Sequence, residues 1–150
     1  MKIILVDDKN KNRKAGIKDL TAAGHEVIAF SGYEDAYNSV RGGEVYDVAL
    51  LDLLMPAEGM MLGGESLQFL GQPIDVGFSL AMILAFMGVK RIVVATDLSH
   101  HHHPSSAIVD WFDGKMIDIC GAKVRIMHAH LSRENEAKDF SWALGEAMRM

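Results

Sequence analysis

Short apolar runs alternate along the chain with longer stretches of helical period. Five runs read as strands, at 2–6, 26–30, 48–51, 91–95 and 123–127. Four have an almost continuous apolar centre, as expected of strands covered by helices on both faces. The gaps between them read as helices. The first spans 10–23, with Ile17 and Leu20 facing inward and Gly24 as its stop. The second opens at a capping box, Ser31 with Glu34, and ends at Gly42-Gly43. The third, 74–87, is apolar nearly all round and is expected to be the most buried. A fourth follows Pro104, with Ser105 or Ser106 to cap it. The last places Ala137, Phe140, Leu144 and Ala147 on one stripe. Right-handed crossovers joining five such units predict an α/β fold, a doubly wound five-stranded parallel sheet with helices on both faces. Residues 57–73 have no clear period and predict a lid, a binding loop or a partly ordered insertion within one domain, 1–150.

Composition changes this picture little. At 150 residues, with 49% hydrophobic and 23% charged positions, the chain suits one packed core. Its net charge of −5 argues against non-specific nucleic-acid binding. One cysteine, Cys120, excludes an internal disulfide framework and fits a reducing cytoplasm. The apolar stretch 76–89 is shorter than the roughly 20 residues of a spanning helix, so no membrane association is expected. Two excesses remain, ten methionines and seven histidines. Methionines most often fill cores, although an exposed set suits an adaptable binding surface.

In an open parallel sheet, ligands bind beyond the carboxyl ends of the strands. Here the first strand ends in Asp7-Asp8, the third in Asp52 and the fourth in Thr96-Asp97. Converging carboxylates repel one another, and a hard divalent cation such as Mg²⁺ relieves the repulsion. Beside it, Asp52 could act as a nucleophile toward a phosphoryl group. Taken singly, Asp8 or Asp97 would read as the cap of the following helix.

Two segments carry a resemblance. Ile4-Leu5-Val6-Asp7-Asp8 and Leu51-Asp52-Leu53-Leu54-Met55-Pro56 resemble the receiver domain of bacterial response regulators, a CheY-like, flavodoxin-like fold of strand order 2-1-3-4-5. The 44 residues from Asp8 to Asp52 match that family's spacing. The resemblance implies that Asp7, Asp8, Asp52 and the carbonyl of Leu54 hold Mg²⁺. It also implies that Asp52 accepts a phosphoryl group from a histidine kinase and that Thr96 senses it. The family's lysine at the end of the last strand falls on His128, and its aromatic switch position on Arg125. The interval from Asp52 to Thr96 is longer than usual, and the surplus coincides with 57–73.

His100, His101, His102 and His103 follow the fourth strand, and His128 and His130 end the fifth. By placement these histidines are expected near Asp52, as phosphoryl or anion contacts. Alternate imidazoles could instead hold Zn²⁺ or another transition metal, or the loop could be solvated with one histidine capping the next helix. Three functions stay open. The first is a receiver-like signalling module acting through a kinase or downstream protein. The second is a phosphorylation-independent pseudo-receiver interaction domain, compatible with a homodimer. The third is a small metal-dependent enzyme using the histidine loop, for which no motif specifies a substrate.

Overall fold

The computed structural model describes residues 1–60, 62–99 and 101–150; Met61 and His100 lie outside the described residues. Strands β1 (Lys2–Val6), β2 (Glu26–Phe30) and β3 (Val48–Asp52) pair in parallel, with β1 in the middle. A two-residue antiparallel ribbon, β4 (Met55–Pro56) with β5 (Pro73–Ile74), closes the base of the 57–73 segment. Strand β6 (Arg91–Thr96) lies beside β3, and β8 (Ala122–His128) beside β6. These five parallel strands have the expected order. A short antiparallel strand, β7 (Ile117–Ile119), extends the sheet beyond β8, giving β2-β1-β3-β6-β8-β7. The 3-residue β7 was invisible to an apolar-run criterion because its middle residue, Asp118, is exposed.

Alternation along the strands sorts the core into two layers. Ile4, Val6, Leu51 and Val94 face one side, under α2 (Tyr33–Arg41), α3 (Val76–Phe86) and α4 (Pro104–Phe112). Ile3, Leu5, Leu50 and Val93 face the other, under α1 (Asn10–Ala22) and α5 (Phe140–Met148). Pleating with period two puts adjacent residues on opposite faces, so β1 and β3 are buried on both.

Three expectations change. Ser31 makes no capping bond; Gly32 occupies the N-cap of α2. The Glu34 amide donates instead to Glu58 Oε2 at 2.8 Å, a carboxylate delivered by the 57–73 segment. A Cβ on Gly32 would lie 2.0 Å from Glu58 Oε1, so the glycine leaves the room this cap needs. On α4 the cap is His103, whose Nδ1 accepts from the Ser105 amide at 3.2 Å, not Ser105 or Ser106. Helix α3 is not buried all round. Leu80, Ala81, Leu84 and Ala85 cover the sheet, while Phe86 is 67% exposed.

The described residues of the 57–73 segment are tied to the fold and to one another. Ala57 N donates to Gln72 O, Gly71 N donates to Ala57 O, and residues Gly64–Phe69 form a 3₁₀ helix. Tyr33 Oη accepts from Glu58 N at 2.7 Å. Glu58→Ala is expected to cost about 1 kcal/mol through loss of the α2 cap. Hydrogen exchange checks this, with the Glu34 amide expected to open about fivefold more often.

Candidate functional site

The site lies where the carboxyl ends of β1, β3 and β6 meet. Asp7 and Asp52 are buried and Asp8 is half-buried, and their carboxylate oxygens come within 4.8 Å of one another. Asp7 is held by its neighbours: Asn12 Nδ2 donates to both carboxylate oxygens at 3.1 Å, and the Lys9 amide donates at 2.9 Å. Arg13 Nη1 donates to the carbonyls of Asp7 and Asp8 at 2.7 Å, fixing the turn after β1.

The cation beside these acids is Lys138. Its Nζ lies 2.6 Å from Asp52 Oδ1 and 2.9 Å from Asp7 Oδ2, and donates to the Ala95 carbonyl at 3.0 Å, so two carboxylates and a carbonyl surround the ammonium. The lysine is 2% exposed. It is delivered by the loop between β8 and α5, which folds back on itself. Leu131 bridges Lys138, Ser132 N donates to Ala137 O at 2.8 Å, and Asp139 N donates to His130 O at 2.8 Å. The Lys138 amide then donates to Asn12 Oδ1 at 3.2 Å, so Asn12 links the lysine backbone to Asp7.

His128, where the lysine was expected, is not the residue beside Asp52. His128 is level with Thr96, one residue beyond the level of Asp52 and two strands away from it. An imidazole is too short to cross two inter-strand intervals of about 4.8 Å. Its Nε2 lies 2.9 Å from Asp110 Oδ1 on α4 instead. Three other described histidines have partners elsewhere. His130 stacks on Trp142 with ring centroids 5.1 Å apart, His102 Nδ1 pairs with Ser99 Oγ at 2.9 Å, and His103 caps α4. Among the described residues, the one group of three or more side chains with metal-ligand spacing is Asp7, Asp8 and Asp52. His101 and its described neighbours form no such group, and His100 lies outside the described residues. Arg125, at the switch position, pairs with Glu146 on α5.

Thr96 is buried at the end of β6, where its Oγ1 accepts from the Leu98 amide at 3.2 Å. Leu54 is buried two residues after Asp52, at the same strand end. Asp97 and Lys9 form a second ion pair of 2.5 Å, joining the loop after β6 to the loop after β1.

The acids outnumber the cation, and their proton affinities follow. Burial pushes the Asp52 carboxyl up to about 7; Lys138 opposes this and Asp7 adds to it. Asp8 is also raised, by burial first and by Asp7 second. For Lys138, burial disfavours the charge, but Asp52 and Asp7 outweigh it and hold the ammonium above the ordinary lysine value. Asp97 lies below the usual carboxylate range, since the Lys9 hydrogen bond and the Lys138 charge overcome its burial.

The residues fit a hard divalent cation. Asp8 Oδ1 is buried without a hydrogen-bond partner, beside two further carboxylates, and such an oxygen is costly unless a cation or water meets it. Backbone packing fixes the strand end that carries Asp52. A Cβ on Gly77 would fall 1.9 Å from the Asp52 carbonyl oxygen and 2.8 Å from Leu53 Cα. Gly77→Ala therefore has to push β3 away from α3. A loss of about 2–3 kcal/mol in urea unfolding and a weaker response to Mg²⁺ in calorimetric titration are the expected outcome.

Solved structures similar to this chain include receiver domains. One, a response regulator receiver protein from Sinorhizobium medicae, superposes with TM-score 0.61 at 16% identity, over 99% of this chain and 92% of that one. The receiver domain of the hybrid histidine kinase CckA gives 0.58 at 15% identity, over 99% of both chains. TrrA, a response regulator from Thermotoga maritima in complex with Mg²⁺-BeF, gives 0.55 at 20% identity, over 99% and 96%. No family model matches the sequence, and no curated protein matches it either. The fold is thus the CheY-like receiver fold, reached with low sequence identity.

Proposed function

We propose that residues 1–150 act as one receiver-like signalling domain, with 57–73 as an insertion, which binds Mg²⁺ and accepts a phosphoryl group on Asp52. The observation that carries this reading is the contact of Lys138 Nζ with Asp52 Oδ1 in a pocket that also holds Asp7 and Asp8. A buried ammonium beside a buried carboxylate is an arrangement suited to phosphoryl oxygens, which need positive charge as they arrive. The pseudo-receiver reading rested on a missing lysine and a missing aromatic switch; Lys138 supplies a cation beside Asp52, while Arg125 still stands where the aromatic is expected.

In the reaction, an Asp52 carboxylate oxygen attacks phosphorus. The bond from phosphorus to the donor breaks, and its electron pair leaves with the imidazole of a phosphohistidine or with acetate. Lys138 meets the charge on the transferred oxygens, and Thr96, at the end of the adjacent strand, is the hydroxyl assigned to sense the product. Asp7, Asp8, Asp52 and the Leu54 carbonyl would hold the cation, which supplies charge neutralisation when bound. A histidine kinase or another phosphodonor protein is the upstream partner in this reading, and a cytoplasmic location goes with it. No helix among the described residues is long and apolar enough to cross a membrane.

Beryllofluoride tests this without turnover. With Mg²⁺ present, ¹⁹F NMR should show a bound beryllofluoride signal for the wild type and none for Asp52→Ala. Absence of the signal in both would overturn the reading.

A further inference from the structure

The 57–73 segment builds a surface that the chemistry at Asp52 does not use. Its 3₁₀ helix buries none of its residues, and Leu67 and Leu70 are 51% and 57% exposed. The outer face of α3 continues this surface through Ile83, Phe86 and Met87. Between α2, α3 and the segment runs a groove of about 250 Å³, lined mostly by apolar side chains such as Tyr37, Met60, Leu62, Ile74 and Ile83.

Charge identifies what would cover it. No lysine, arginine or histidine occurs between Arg41 and Lys90. Glu34, Asp35, Glu58, Glu65 and Asp75 lie on α2, on the segment or at the start of α3. None of the five forms an ion pair among the described residues. A second copy seated face to face would set this acidic rim against itself, and an anionic membrane would be repelled. Cationic flanks around apolar anchors complement it.

We propose that the groove receives an amphipathic helix of a partner protein, with apolar residues at helical spacing and Lys or Arg beside them. Methionine and other exposed apolar side chains adapt well to such a helix. Docking here uses no residue of the Asp52 site, so it stands or falls separately from phosphoryl transfer.

The test uses the whole chain with labelled Ile and Met methyl groups. The probes are two synthetic helical peptides sharing one leucine pattern, one with lysine and one with glutamate at the polar positions. The lysine peptide is expected to shift the methyls of Met60, Ile74, Ile83 and Met87, and the glutamate peptide to bind at least about tenfold more weakly. Phe86→Ser, at an exposed position, and the pair Glu65→Lys with Asp75→Lys should each weaken the lysine peptide by about tenfold. Equal affinity for both peptides, no binding, shifts confined to Ile126 and Met148, or unaltered affinity in these variants would each overturn the proposal. Binding of phosphatidylglycerol vesicles by the same methyls in place of the peptide would overturn it as well.

Discussion

Lys138→Met is expected to destabilise the metal-free protein by about 3–5 kcal/mol, the range for removing one partner of a buried ion pair. The reason is the charge count at the strand ends. Lys138 contacts both Asp52 and Asp7, and no other side-chain ammonium or guanidinium among the described residues forms an ion pair with either. Methionine keeps most of the packing volume but leaves three clustered carboxylates unneutralised. Urea unfolding in the presence of a chelator measures the loss. Millimolar Mg²⁺ should return part of it, because a divalent cation supplies charge at the same place. Asp52→Asn in the Lys138→Met background should also return part, giving a coupling energy of about 1–3 kcal/mol in the double-mutant cycle. Additive losses would mean that the two side chains do not act as a pair.

Asp52→Asn alone is expected to stabilise the metal-free protein above neutral pH. Burial holds the folded-state carboxyl up at about 7, above its unfolded value. The folded state therefore binds more protons than the unfolded chain between roughly pH 4 and 7, and stability falls as pH rises through that window. An amide at this position carries no charge to desolvate, while Lys138 keeps Asp7 and the Ala95 carbonyl as acceptors. The gain should be largest above pH 7, on the order of a few kcal/mol, and vanish near pH 4. Thermal unfolding across pH in chelator checks it, and a variant less stable than wild type at pH 8 would contradict the electrostatic account.

Much of this site was legible in the sequence. Asp7, Asp8 and Asp52 stand at the ends of apolar runs whose boundaries matched β1 and β3 to within one residue, because continuous burial leaves an unambiguous signal. The approach of Lys138 to Asp52 was not legible. Lys138 lies ten residues beyond His128, and its approach to Asp52 depends on the 129–139 loop folding back through the Leu131 bridge. A faint cue existed: Lys138 sits between Ala137 and Phe140, both buried, where a solvated lysine would be out of place. The cap of α2 was misplaced for the same reason. Ser31 is local in sequence, whereas Glu58 is 24 residues from the amide it meets. Local patterns carried strands and helices well; contacts made by loops that reverse direction did not show in any period. In the histidine run, His102 pairs locally with Ser99 and His103 caps α4, which matches the alternative of one histidine capping the next helix.

Chemical trapping of the acceptor tests the central claim most directly. The protein is incubated with acetyl phosphate and Mg²⁺, reduced with tritiated borohydride, which marks a carboxyl group that carried a phosphoryl group, and digested for peptide mapping. The label should appear at position 52, disappear when the cation is chelated, and fall by at least about tenfold in Lys138→Met, consistent with loss of one charged group that meets the transferred oxygens. Label at another carboxylate, or none with Mg²⁺ and donor in excess, would contradict the assignment of Asp52 as the phosphoryl acceptor.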